Sequence, residues 1–307
     1  MLRIPYNLEP ITIDSLPEIK SFTSNFKPYS DYNFTSIYCW NTDDQAEFTF
    51  YNDNLILKMP EYNTDQVTFS LLGTTKIDET IHELSRHTQS TTGISDTLKY
   101  IPDIVIDKIN QYASYRVYED IDNNDYILST DEAIKLEGAK YSNKRKKINK
   151  LLSSIGKDIK ICELDLKNAK HIDEIQYINQ RWKQESNSNM FIDVSDIKAI
   201  HKLLDNYSNL SKSLQIRCIG IRVNSVLEAY CIYELLEQNW AITHFGKALK
   251  THKGMYEFMM VELLRYLNKE GVKYVNYEQD LGIPGLRENK QNAKPIMYLK
   301  KYCISLI

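Results

Sequence analysis

No apolar stretch of this chain approaches the ~18 residues that a membrane-spanning helix needs. The longest, Ala229 to Leu236, is interrupted by Glu234. Met1 to Leu16 carries neither a basic segment nor an apolar one, so no secretory leader is expected. Cysteine is sparse and odd in number: Cys39, Cys162, Cys218, Cys231 and Cys303 contain no C-x-x-C pair. Such scatter argues against a disulfide framework and fits buried thiols in a reducing, cytoplasmic setting. Metal patterns are missing too. His82 and His87 stand five apart, no H-E-x-x-H occurs, and Asp120 to Asp125 has the composition of a calcium loop without the glycine and distal glutamate of an EF-hand. No metal site is therefore assigned. Neither G-x-S-x-G nor a Cys/His nucleophile signature appears. Net charge is low as well, with 38 Lys and Arg against 41 Asp and Glu, so the overall balance selects no partner.

What is present is a globular composition in an uneven arrangement. A chain of 307 residues with 42% hydrophobic residues, 22 tyrosines and 9 phenylalanines can build packed cores, and its length suggests two domains, 1–137 and 138–307. Ala139 to Lys157 contains no acid. Within it Lys140, Lys144, Arg145, Lys146, Lys147 and Lys150 leave 32 bases to face the 41 acids elsewhere. Tyr141, Ile148, Leu152 and Ile155 share one face of a helix there, with Lys144, Arg145, Lys147 and Lys150 over the rest. Such a helix is either a solvated linker or an anion platform. The platform would take a tRNA backbone, a phospholipid headgroup or another phosphate-bearing carrier, among which electrostatics cannot choose.

The second half is the more legible. Ile216–Val223, Val226–Leu236 and Trp240–Phe245 read as strands rich in β-branched and aromatic residues, joined by short turns into an antiparallel meander. Met255, Phe258, Met259, Leu263 and Tyr266 follow at helical spacing, Gly271 ends that helix, and Val272–Tyr277 is a further strand. Strand, crossover helix and strand imply a parallel pair beside the meander. The first half repeats this order faintly. Helices are expected over Asp14–Phe26 and Phe34–Trp40, strands over Glu47–Phe50, Leu55–Met59 and Val67–Leu71, and a helix over Ile77–Arg86. The two halves are expected to share one topology.

Asn276 to Pro295 is the most informative segment. Glu278 and Asp280 lie just past a strand end, and Gly282 and Gly285 bracket Pro284 ahead of a short basic helix with Arg287 and Lys290. Carboxylates at a strand's carboxyl end with cations beyond suit an open α/β site, and equally a charged turn closed by local ion pairs. Asp280, ahead of Leu281 and Gly282, suits a turn-holding role as well. Lys247, Lys250, His252 and Lys253 crowd the loop before Gly254, either an anion site at a helix start or an exposed loop. His244, near its strand end, is a candidate base or a structural histidine. Trp182 reads as a helix core residue.

Asp280-Leu281-Gly282, Gly285-Leu286-Arg287, Lys290 and Pro295 resemble the C-terminal signature of the lysylphosphatidylglycerol-synthetase C-terminal-like family. Asp125-Tyr126-Ile127, Gly138, Lys140-Tyr141, Lys144-Arg145 and Ile148-Asn149-Lys150 follow its basic-helix pattern, and His244-Phe245, Lys247-Ala248 and Gly254 give a weaker third match. The resemblance spans most of 120–302. It implies an α+β chain of two GNAT-like domains, each a mixed, mainly antiparallel sheet flanked by helices, with splayed strands opening a cleft in the second. It also implies acyl transfer, above all aminoacyl transfer from aminoacyl-tRNA to an amine or hydroxyl. Glu278, Asp280 or His244 would be the base, Lys144, Arg145 and Asn149 would meet the carrier, and Lys247, Arg287 and Lys290 would bind substrate. Two alternatives stand beside it. One is a non-catalytic protein holding a tRNA, a lipid headgroup or a polypeptide through the same patch. The other is an acetyltransferase with acyl-CoA as donor, although Lys253 stands where the coenzyme A loop has its first glycine. Family members keep acids where this chain has Gly246 and Gln279. The synthetases also carry a membrane-spanning portion ahead of this domain; with none expected here, lipid contact would be peripheral.

Overall fold

The computed structural model describes residues 7–62, 64, 66–90, 95–156, 158–185 and 190–307. It is a mixed α+β structure of mainly antiparallel sheets flanked by helices, in two compact units.

The first unit comprises Met1–Tyr126, Glu278–Gln291 and Met297–Ile307. An antiparallel sheet runs Glu9–Pro10, Glu47–Tyr51, Asn54–Pro60, Val67–Leu72 in spatial order. Asn52 and Asp53, at φ 51° and 56°, make the two-residue hairpin turn that favours such residues. In helix Ile77–Ser90, the i, i+4, i+7 spacing of Ile77, Ile81 and Leu84 turns one stripe onto Ile56, Phe69 and Leu71. A three-stranded sheet completes the unit. Its central strand is Lys301–Leu306, antiparallel to both Leu98–Pro102 and Tyr115–Glu119.

The second unit comprises Ile127–Tyr277 and Asn292–Ile296. Residues 127–129 pair antiparallel with Tyr274–Asn276, which runs parallel to the start of Trp240–Ala248. Val226–Leu235, Gln215–Val223 and Ile159–Glu163 continue the sheet antiparallel. Helices Ser142–Ile155, Ala169–Glu185, Met190–Leu210 and Met255–Lys269 accompany it. The meander, the crossover helix and the mixed pairing thus match the sequence expectation.

The division at 137/138 differs from these units. The second begins at Ile127, and the first reclaims two C-terminal segments. Backbone ladders explain this, because 127–129 finds its partner near residue 275 while Lys301–Leu306 completes a sheet of the first unit. No local pattern encodes pairing over such separations.

Candidate functional site

In the first unit, Glu278–Gln291 folds onto residues near 30 and 125. Asp280 is fully buried and accepts from Tyr126 Oη (2.5 Å), Gly282 N (2.8 Å), and Arg287 Nε and Nη2 (2.8 Å each). Burial alone would raise its pKa; the Arg287, Tyr126 and Gly282 hydrogen bonds outweigh burial and hold it below the usual carboxylate range. Arg287 also reaches Asp122. Gly282 sits at φ 71°, and a Cβ there would lie 2.7 Å from Asp122 Oδ2, so the turn requires glycine. Asp280 and Arg287 thus form a clamp that shapes the turn.

Glu278 is half-buried, sits at φ 55°, and accepts from Ser36 Oγ at 3.2 Å. A left-handed glutamate is strained, and such strain clusters at functional positions. Lys290 is buried on helix Pro284–Asn292. Burial pulls its pKa down to about 8 against the attraction of Glu278, Asp125 and Asp280. Beside these lies a cluster that the sequence reading missed. Lys301 Nζ, wholly buried, contacts Asp31, Asp125 Oδ1 (2.8 Å) and Ser30 Oγ (3.0 Å). Ser30 Oγ also donates within 2.6 Å of Gln279 Oε1, and Tyr62 Oη donates to Asp31 (2.8 Å). The available signal was Lys301 itself, a cation at an inward position of an apolar strand (Cys303 and Ile304 buried beyond it).

In the second unit, parallel pairing ends at Ile242 and Asn276, while the strand from Trp240 continues to Ala248. His244 is the extra residue of a β-bulge at this divergence, since Ile232 faces Phe245 but Tyr233 faces Thr243. Its Nε2 lies 3.3 Å from Glu234 Oε2, with both side chains buried. Lys247 is buried, 2.5 Å from Asp196 Oδ2, and its ammonium stands 3.9 Å from the centroid of the Trp182 ring. Trp182, expected in a core, is half-buried beneath that cation.

The basic helix Ser142–Ile155 differs from a uniformly solvated one. Arg145 Nη1 donates to the carbonyls of Leu136 and Gly138 (2.8 Å for the latter), capping the preceding helix. Lys147 pairs with Glu257. Lys144 is half-buried over the Tyr141 ring, and desolvation brings its pKa down to about 8. Asn149, Lys146 and Lys150 are exposed. In the following loop, Lys250 bonds to Glu185. Gly254 (φ 97°) abuts the basic helix so closely that a Cβ would lie 2.9 Å from the Lys147 carbonyl. Glu278, Asp280, Arg287 and Lys290 are therefore gathered in the first unit, whereas His244, Lys247, Lys144, Arg145 and Asn149 belong to the second. The expected cleft in the second domain does not include the Glu278–Lys290 segment among its own residues.

Among the described residues no helix is long and apolar enough to cross a membrane, and no three potential ligands cluster as a metal site. No curated protein matches the chain in sequence. Among solved structures, a conserved protein of unknown function from Bacteroides thetaiotaomicron VPI-5482 is 19% identical (TM-score 0.81; 99% of this chain and 100% of that one covered). The C-terminal domain of a putative lysylphosphatidylglycerol synthetase from Agrobacterium fabrum is 12% identical (TM-score 0.62; 95% and 91% covered). A tandem GNAT protein from the clavulanic acid pathway is 8% identical (TM-score 0.51; 97% of each chain covered). At these identities the likeness concerns the fold, which is GNAT-like. The sequence model of the phosphatidylglycerol lysyltransferase C-terminal domain matches residues 23–305, and the chain belongs to that family.

Proposed function

We propose that this chain is an acyltransferase that moves an aminoacyl group from an aminoacyl-tRNA to an amine or hydroxyl acceptor, using two GNAT-like domains. Family membership supports transfer. The observation that carries it to a site is Glu278, a strained, half-buried glutamate beside a buried amine. Its carboxylate takes the proton of the attacking amine or hydroxyl, the new acyl bond forms, and the ester C–O bond to the carrier breaks as the leaving oxygen takes that proton back and departs as the carrier's hydroxyl. Asp280, with four hydrogen bonds already accepted, holds the turn. Exposed Lys146, Lys150 and Asn149 meet the carrier's phosphates, with Lys144 behind them.

Lys253, standing where a coenzyme A loop has its first glycine, disfavours acyl-CoA as donor. The test is single-turnover transfer from radiolabelled aminoacyl-tRNAs to a panel of amines, hydroxyl compounds and phosphatidylglycerol vesicles. Glu278→Gln should lower the rate by about 10²–10⁴ while leaving the melting temperature unchanged. Saturable tRNA binding with no transfer from any donor would instead establish the non-catalytic carrier-binding alternative.

A further inference from the structure

Lys247 was expected to meet phosphate, yet its surroundings suit a different ligand. It lies on Trp240–Ala248 directly opposite Tyr230, whose fully buried hydroxyl donates to Asn179 Oδ1 at 2.5 Å. Asn179 is 1% exposed, and its Nδ2 finds no hydrogen-bond partner among the described residues. Lys247 itself is 5% exposed, with Asp196 Oδ2 at 2.5 Å and the Trp182 ring at 3.9 Å. Helices Ala169–Glu185 and Met190–Leu210 thus bring Asn179, Trp182 and Asp196 to the two strands.

The charges decide what can enter. Lys247 and Asp196 already balance, so a phosphate would leave net negative charge in a buried place, at a high desolvation cost. An oxygen with lone pairs and no charge brings no such penalty, and it answers the unmet Asn179 donor. We propose that Asp196 sets the specificity of a Lys247–Asn179 subsite, closing it to phosphate and leaving it to receive the neutral carbonyl oxygen of an ester or amide. This deepens the acyl-transfer proposal and rests on it for the source of that oxygen, the acyl group of the donor.

The test reads binding without turnover, so a chain inactive as a transferase can still pass or fail it. The Asn179 side-chain amide resonance, assigned by its loss in Asn179→Leu, is followed in the full chain by ¹⁵N NMR. It should move with acetamide and stay in place with inorganic phosphate. In parallel, pyrophosphate binding is measured calorimetrically. Lys247→Met should leave the wild-type affinity unchanged. Asp196→Asn should tighten it at least tenfold, and Asp196→Asn with Lys247→Met should abolish the gain; Asp196→Ser serves in place of Asn if that variant does not fold. Pyrophosphate affinity that already falls in Lys247→Met, or an Asn179 resonance indifferent to acetamide, overturns the proposal.

Discussion

Replacing Lys301 by methionine keeps most of the side-chain volume and removes one buried ammonium from between two buried carboxylates. Asp31, Asp125 and Lys301 are each fully buried. Burial by itself would lower the Lys301 pKa, but Asp125 and Asp31 outweigh it and raise it. Asp31 is pushed up by burial and by Asp125 and only partly restored by Lys301, because one cation cannot neutralise two anions. Breaking a buried pair from one side typically costs about 3–5 kcal/mol. For a unit of this size that is a fall of about 6–20 °C in melting temperature. The loss should depend on pH with a definite sign. A carboxyl whose folded pKa is raised binds more protons folded than unfolded, so its contribution weakens as pH rises from the unfolded value to the folded one. Without Lys301 the Asp31 pKa rises further, and the variant should lose stability more steeply than wild type as pH rises above the unfolded carboxylate value, a comparison made at pH 5 and pH 8. Urea unfolding at both pH values, monitored through tyrosine fluorescence and circular dichroism, measures this. Adding Asp31→Asn and Asp125→Asn should recover part of the loss. A cost below about 1 kcal/mol, or a deficit independent of pH, would refute the claim that these charges are mutually dependent.

Asp280→Asn should destabilise by about 1.5–3 kcal/mol at pH 7 through weaker bonds to Arg287, Tyr126 and Gly282 N. Because the folded Asp280 pKa is depressed, wild type has that contribution above the unfolded carboxylate pKa and loses it as pH falls through the folded value, so acid unfolding curves of the two should converge. Lys144→Met should be neutral or stabilising at pH 7 in thermal melts, since burial already disfavours the charged form, with the difference shrinking as pH rises from about 8 and gone only above the unfolded lysine value of ~10.4. Lys146→Glu with Lys150→Glu should reduce tRNA retention on filters and flatten its salt dependence by about 0.7–0.9 log unit per lost phosphate contact, with unfolding unchanged. Arg145→Glu, by contrast, should lower stability, because its guanidinium caps the helix ending near Leu136.

Periodicity and turn chemistry determined the elements themselves. The Asn224-Ser225 hairpin, the stripe from Met255 to Tyr266, the strand before Glu278 and the short helix carrying Arg287 are all local consequences of spacing, and each is found where the residues place it. The motifs between Asp125 and Pro295 likewise pointed to the family, whose sequence model matches residues 23–305. Tertiary structure decided how those pieces associate. That Lys301–Leu306 is the central strand of a sheet built from residues near 100 and 117 follows from long-range ladders, which leave no local trace. It also decided which charged groups pair. Asp280 and Arg287 close a turn, Lys247 balances Asp196, and Arg145 caps a helix, although in sequence each is simply a charge in a promising place. Spacing along a chain specifies which face a side chain takes, but burial and the approach of remote segments set its charge balance, and on that balance the chemistry depends.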